Sequence, residues 1–353
     1  MKHNILAISA GFISGALAMA SMSGSNIAVF YLSLVHPLPL FYAGLSLGGR
    51  GALIAIGIAT AIVAMANPLA GLVFAVLYGV PVWVVTRLML TGPNGPVWSI
   101  PEDQNAPGGA HQPEGPETQS TFAERITGRV EDWEGESGAR PRGLARDLGW
   151  YPAGWILAIV TAIGAGFIVI ASVLTGFGLE AHVQEALSEF ANAFAAPQGE
   201  EILKDALNRI APFFAGMAAA MWAFGLLINV AIAQGLLAKG GRNIRPSPRF
   251  RELKLPDALS WALVASALVA LVAPGELEYV GRNIAIVLAV PFFFLGLTVV
   301  HKLAALTPFP GAMLAMAYLL VIFSGWFVLV IAGLGILEQW VGLRNRMNTP
   351  GQT

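Results

Sequence analysis

Hydrophobic positions in this chain run in long blocks, without the alternation of strands or the half-apolar stripes of soluble helices. Between Lys2 and Arg87 the only formal charge is Arg50, and charge-free stretches recur over residues 148–179, 210–238, 258–275, 283–301 and 303–337. A charge at the bilayer centre costs about 2.5–3.5 kcal/mol on insertion scales, so blocks of this kind belong in hydrocarbon. A crossing helix needs about 20 apolar residues at a rise of about 1.5 Å each. Residues 2–90 therefore hold four predicted helices, over 5–22, 25–49, 51–66 and 69–90. The breaks are a small polar turn ending at Asn26, a tight basic turn at Gly48-Gly-Arg-Gly51, and the turn initiator Asn67-Pro68.

Further helices are expected over 150–175, 210–238, 258–273 and 283–300. The tract 310–337 is either one span or, split at Ser324-Gly325, a hairpin of two short helices. The split is preferred because it returns Arg344 and Arg346 to the basic side. The pattern predicts an all-α, polytopic transmembrane helical bundle of nine or ten membrane segments.

Two connectors stand apart. Residues 91–149 carry Pro and Gly throughout, ten acids and five arginines, and read as a disordered loop that cannot bury enough apolar surface to offset chain entropy. A short helix over 121–133 is conceivable there from Phe122, Ile126 and Val130. In 180–209, Val183, Leu187, Phe190 and Phe194 recur at helical spacing with Glu180, Glu185 and Glu189 elsewhere, which predicts an amphipathic helix lying on the membrane. The chain thus divides into a four-span unit (1–90), the loop (91–149), a C-terminal helical unit (150–346) and a tail (347–353).

Composition agrees with this class: 56% of residues are hydrophobic and 12% charged, where soluble domains run near a quarter. Lys2 and His3 before an apolar run imitate a secretory signal, with Ala18-Met-Ala20 as a mock cleavage site. Apolar character resumes directly after Asn26, so the segment reads as a retained span. Charge is segregated along the chain. The connector 239–256 holds Lys239, Arg242, Arg245, Arg249, Arg251 and Lys254 against Glu252, and the positive-inside rule makes it cytoplasmic. Lys2, Arg50, Arg87 and the 91–149 loop then fall inside as well, and 180–209 outside. The expectation is a multi-pass membrane protein with its N-terminus in the cytoplasm. Trp150, Tyr151 and Trp155 form an aromatic belt at that face.

Candidate chemistry is sparse. Absence of cysteine removes thiolate nucleophiles, disulfides and thiolate metal sites. No phosphate loop, no His-Glu-x-x-His and no carboxylate inside a predicted span are found, which excludes a P-loop ATPase, that metalloprotease type and a carboxylate proton relay. Ser9 and Ser14 lack a nearby base. The chain is read as non-enzymatic, with no cofactor, no metal site and no nucleic-acid partner. Ala7, Gly11 and Gly15, continued by Ala16 and Ala20, form a small-residue face for close helix approach, either within this chain or with a partner subunit. His36-Pro37-Leu-Pro39 interrupts the second predicted helix, either as a kink or as the broken helix of a substrate site. Candidate substrate-binding residues are Asn26, His36, Pro37, Pro39, Tyr42, Asn229 and Asn283. The amides, like Gln234, can equally make helix-to-helix hydrogen bonds, and His301 beside Lys302 reads as interfacial.

The break Pro37-Leu-Pro39-Leu-Phe41, the Gly48-Gly-Arg-Gly51 turn and the closing pattern Gly333-Leu-Gly-Ile-Leu-Glu338, Trp340, Leu343-Arg344 resemble the YybS-like family of bacterial multi-pass membrane proteins. The likeness spans most of the chain outside residues 91–149. That family is distantly similar to the substrate-binding S-components of energy-coupling factor transporters, whose first helix docks a membrane coupling subunit through small residues. The resemblance implies an S-component-like N-terminal half, small-molecule binding or transport, and a coupling subunit with separate ATPases. Ala7, Gly11, Gly15, Ala16 and Ala20 would be its docking face. Glycines stand where alanines are usual in that face, and the chain is longer than a typical S-component. The rival expectation is a structural membrane protein that organises other envelope proteins.

Topology is testable directly. A phosphatase fusion, active only outside the cytoplasm, should be silent at Arg245 and active near Gln198, and the reverse pattern would overturn the orientation.

Overall fold

The computed structural model describes residues 2–22, 32–92, 95–96, 150–194, 200–248 and 250–347. Asn26, almost all of the 91–149 loop with its conceivable helix, Arg249 and residues 348–353 lie outside the described residues. The described chain is helical apart from a two-residue antiparallel pairing at Thr91–Gly92 and Gly95–Pro96. Among the described residues six helices are long and apolar enough to cross a membrane, and four shorter apolar helices accompany them.

Contacts gather the chain into two compact units. The first comprises Met1–Leu32, Leu38–Trp150 and Ala233–Ser247, and the second Ser33–Pro37, Tyr151–Ile232 and Pro248–Thr353. The chain divisions read from the sequence are therefore not the contact divisions: part of the basic connector clusters with the N-terminal helices.

In the first unit, α1 (Lys2–Met22), α2 (Leu38–Leu47), α3 (Gly49–Ala66) and α4 (Pro68–Met89) pack through small residues. The buried face of α1 is Ala7, Ala10, Gly11, Ser14, Gly15 and Ala18, while Ala16 is exposed and Ala20 half-buried. Four-residue steps overshoot a 3.6-residue turn, so a buried stripe must alternate steps of three and four, and it continues at Ala18. It meets Ala52, Ala55, Ala59 and Val63 of α3, all essentially inaccessible. A Cβ on Gly11 would stand 2.5 Å from the Ala55 carbonyl oxygen, and one on Gly15 2.9 Å from Ile62 Cβ. Large apolar residues point the other way: Leu69, Leu72, Val73, Val76 and Val80 recur on the exposed side of α4. This inverted arrangement suits lipid, where close backbone approach replaces the hydrophobic force between helices.

Gly48, at φ 86°, makes the α2–α3 turn, and Asn67 caps α4 by accepting from the N–H groups of Leu69 (2.9 Å) and Ala70 (3.3 Å), with Pro68 at the first helical position. Ala75–Gly79 of α4 is a π turn just ahead of Pro81. A proline ring clashes with the carbonyl four residues back, here Leu77, and widening the turn accommodates it. Arg245 is only 3% exposed. Its guanidinium donates to the Met89 carbonyl at 3.4 Å, and its own carbonyl accepts from the side-chain amides of Gln234 and Asn243. A cation at a helix C-terminus is favoured by the helix dipole.

The second unit is built on α9 (Glu276–Ala305), with α5 (Ala153–Leu174), α8 (Asp257–Val272) and α11 (Gly325–Val341) against it. Gly296 of α9 and Gly335 of α11 cross backbone to backbone: a Cβ on either would stand 1.8 Å from a carbonyl oxygen of the other helix, that of Ile331 or Phe292. Phe293, Leu297, Val300, Ala317, Ile331 and Ala332 form the adjoining core. The tract after residue 309 breaks at Ser324 into α10 (Pro310–Phe323) and α11, as the hairpin reading requires. His301 donates through Nδ1 to the Leu297 carbonyl at 2.8 Å and meets Tyr318 Oη at 3.3 Å through Nε2, tying α9 to α10.

The connector after α5 forms α6 (Leu179–Phe194), and α7 (Glu200–Lys239) begins well before its apolar part. The inward stripe of α6 is Leu179, Val183, Leu187 and Ala191, and Phe190 is exposed. That stripe packs partly on Ile168, Tyr279 and Val287 of the same unit. The apolar stripe expected from the sequence, with Phe190 on it, is that of a helix lying on the membrane; Ala191 is the residue turned into the protein, and Phe190 stays on the outer side.

Substitution of the α1 glycines tests the small-residue packing. Gly11→Leu or Gly15→Leu should lower the stability of the purified protein by roughly 1–3 kcal/mol, as overpacking does elsewhere. Gly57→Ala, where a Cβ meets nothing within 4 Å, should leave the melting temperature unchanged or slightly raised.

Candidate functional site

Proline inside a membrane helix frees a carbonyl that lipid cannot satisfy. The freed carbonyl is the one four residues back, Ser33 for Pro37 and Asn208 for Pro212, and in the second unit asparagines meet backbone groups at two places that neighbour these prolines. The first is the break at His36-Pro37, a two-residue turn between a helical turn at 32–35 and α2. The Leu34 carbonyl accepts from Asn229 Nδ2 at 2.7 Å, and the same amide donates to the Gly225 carbonyl at 2.6 Å. His36, Pro37 and Asn229 are all buried.

The second place is Pro212 inside α7. Asn283, fully buried on α9, bridges the ladder step from Pro212 to Gly216. Its Oδ1 accepts from the Gly216 N–H at 2.6 Å, and its Nδ2 donates to the carbonyls of Pro212 (2.9 Å) and Tyr279 (2.8 Å). Arg282 Nε adds a second bond to the Pro212 carbonyl at 3.2 Å, while its Nη1 pairs with Glu278 at 2.9 Å. The guanidinium lies 5.3 Å over the Phe213 ring. Gly216 is required by the approach: a Cβ there would stand 2.6 Å from the Asn283 carbonyl oxygen. Tyr279 Oη lies 3.5 Å from the Ala211 carbonyl.

Close by in sequence, Glu276 holds the start of α6. Its carboxylate accepts from Ser172 Oγ (2.9 Å) and from the backbone N–H groups of Leu179 (3.0 Å) and Glu180 (3.4 Å). A carboxylate on unpaired N–H groups at a helix start satisfies them and suits the dipole. At the other end of α9 a clasp forms. Buried Glu338 takes Arg344 through its Nε (2.7 Å) and its backbone N–H (2.8 Å). The remaining guanidinium nitrogens of Arg344 donate to the carbonyls of Arg251 (2.7 Å) and Leu253 (2.8 Å).

The expected site residues are thus dispersed. Pro39 and Tyr42 are half-buried in α2 of the first unit, Asn26 is outside the described residues, and His36, Pro37, Asn229 and Asn283 belong to the second unit. Asn229 and Asn283 bond backbone at two different places, the turn at His36-Pro37 and the continuous helix around Pro212. Sequence reading missed Pro212, Arg282 and Glu276 as participants. A proline following a charged helix start, with an Arg-Asn pair near the start of another apolar tract, was the available signal. Glu338 and Arg344 were visible only as a terminal pattern, and the fold turns them into an ion pair.

These features define a polytopic α-helical membrane protein in which two buried asparagines bond backbone groups beside prolines. The chain belongs to the DUF2232 family of predicted membrane proteins, whose profile covers residues 144–338. That range includes both asparagines, Pro212, Arg282 and Glu276, and excludes the small face of α1 and the His36–Pro39 break. No curated protein and no solved structure matches the chain.

Replacing Asn283 separates support from solvent-filled alternatives. Asn283→Leu leaves the Gly216 N–H facing an apolar side chain, and the melting temperature of the purified protein should fall by an amount corresponding to about 1–2 kcal/mol. An unchanged melting curve would show that water, not the amide, completes this step of α7.

Proposed function

We propose that this chain binds a small solute among the helices of its second unit and takes part in its transport, in the manner of an energy-coupling factor S-component and without covalent chemistry. One observation supports the reading: two proline-containing membrane segments of that unit turn backbone carbonyls toward side-chain donors, Leu34 toward the Asn229 amide and Pro212 toward the Asn283 amide and the Arg282 guanidinium. Interrupted helices present backbone dipoles that a polar solute can use at membrane depth, where few other polar groups exist. The protein would reside in a bacterial plasma membrane with its N-terminus inside, and a YybS-like membership belongs to the same reading.

A coupling subunit with separate ATPases would be the energising partner. The glycine face of α1 is occupied by α3, so such a subunit would meet the opposite side of α1, where Ile5, Ile8, Phe12 and Ile13 are exposed. The rival reading, a structural protein organising other envelope proteins, draws on the same amides, since both already hold backbone groups.

A thermal-shift screen of the purified protein against vitamins, nucleobases and metal ions decides between them. Transport-type binding requires at least one compound to raise the melting temperature, and Asn229→Leu to abolish that rise. If no compound shifts the curve, the organising role stands in its place.

A further inference from the structure

The ends of four helices in the second unit gather on one short segment, residues 250–257. Gly154, at the start of α5, approaches so closely that a Cβ would overlap the Lys254 carbonyl oxygen, at 1.8 Å. Gln339, near the end of α11, donates to the Leu255 carbonyl (3.2 Å) and to the Asp257 carboxylate (2.9 Å) at the start of α8. Lys302, in the last turn of α9, donates through Nζ to the Arg344 carbonyl. The Arg344 guanidinium holds the Arg251 and Leu253 carbonyls. The ends of α5, α8, α9 and α11 therefore lie in one layer, stitched by the Glu338–Arg344 clasp.

Two kinds of exposed side chain surround that layer. Trp155, Trp261 and Trp340, on α5, α8 and α11, each sit within about a turn and a half of their helix end and are 46%, 71% and 63% exposed. Exposed tryptophans near the ends of apolar helices belong at headgroup depth, with the ring in the apolar boundary and the N–H toward water. Beyond them Arg251, Lys254 and Arg346 are exposed, and among the described residues none of the three forms an ion pair with an acid. Of the acids nearby, Glu338 is held by Arg344 and Asp257 by Gln339, leaving Glu252 as the exposed acid not engaged in the clasp. Arg344 fixes the backbone at Arg251 and Leu253, Lys254 is the next residue and packs its carbonyl on Gly154, and Arg346 follows Arg344 by two, so all three cations are carried on the segments just outside the tryptophan-bearing helix ends. Side-chain cations just beyond a tryptophan belt match the depth of a lipid phosphate, whereas a free anion would draw nothing from the aromatic layer.

We infer that the clasp at the ends of α5, α8, α9 and α11 is a binding site for the headgroup of an anionic phospholipid, with Arg251, Lys254 and Arg346 as its cationic contacts. The site is independent of solute binding at the helix breaks. Its role is to anchor this end of the unit in acidic lipid.

The full-length purified protein tests this in mixed micelles doped with phosphatidylglycerol, phosphatidylcholine, or inorganic phosphate in place of lipid. Phosphatidylglycerol should raise the melting temperature by several degrees more than phosphatidylcholine, and inorganic phosphate should give no such rise. The triple substitution Arg251→Gln, Lys254→Gln, Arg346→Gln should abolish the increment while leaving the melting temperature in phosphatidylcholine unchanged. Lys204→Gln with Arg209→Gln, on the polar start of α7, should retain it. Native mass spectrometry of the wild type with both lipids competing should show preferential retention of phosphatidylglycerol, and each single substitution should lower that preference roughly fivefold. This second readout holds even if the triple variant does not fold. Equal increments in wild type and triple variant, equal retention of both lipids, or a rise with inorganic phosphate matching that with lipid would each overturn the lipid site.

Discussion

Backbone hydrogen bonding in a solvent that offers none is the constraint on which this structure rests. Each carbonyl freed by a proline within hydrocarbon costs several kcal/mol unless protein supplies a donor. The chain has prolines within apolar helices at positions 81, 212 and 291 and at the break that begins at Pro37. Different remedies appear. At Pro81 the helix widens into a π turn, a local solution. Beside Pro37 and Pro212, asparagines from elsewhere in the chain bond neighbouring backbone groups, Asn229 the Leu34 carbonyl and Asn283 the Pro212 carbonyl and the Gly216 N–H, so each place becomes a fixed contact. A uniformly apolar helix pair could slide or rotate in lipid, whereas a carboxamide bonded to both groups of one ladder step admits a single register.

Close packing supplies the rest. Without a hydrophobic force between helices, association depends on dispersion at short range, which falls steeply with separation. Gly11 and Gly15 against α3, and Gly296 against Gly335, bring backbones nearly into contact. The tightest helix crossings are therefore made of the smallest residues, while large side chains such as Phe41, Tyr279, Phe292 and Ile331 fill the core beside them. Charged groups follow another rule: they gather at helix ends, where Glu276 caps α6, Arg245 meets the end of α4 and Glu338 with Arg344 closes the end of α11. Each of these ions neutralises backbone groups that a helix terminus leaves open. The lipid-facing proposal extends this rule to the cations the protein itself does not engage.

Buried polar side chains are few among the described helices, and two of them, Asn229 and Asn283, bond backbone groups beside prolines. The same economy explains why function is hard to read. An amide that completes a broken helix and an amide that greets a solute look alike in sequence, and in this fold Asn229 and Asn283 already have backbone partners.

Several features were legible in the residues themselves. Charge-free blocks of membrane length specify a polytopic helical protein, because the cost of burying ions in hydrocarbon is large and local. Asn67-Pro68 specifies a helix start, and Ser324-Gly325 a break, because turn chemistry acts over a few residues. Small residues at positions 7, 11 and 15 announce a close contact. Which helix fills that contact is not local information: the burial of Ala10, Ser14 and Ala18, the exposure of Ala16 and the choice of α3 as neighbour follow from how two whole surfaces fit. Likewise Pro212 and Asn283 stand 71 residues apart, and Arg344 reaches Arg251 across 93. Hydrogen-bond partners at such separations are fixed by helix crossings and leave no periodicity in the chain. The sequence thus determined the solvent, the helices and most of their ends. Only the tertiary structure decided which polar groups are tied to interrupted backbones and which remain exposed to meet something outside the protein.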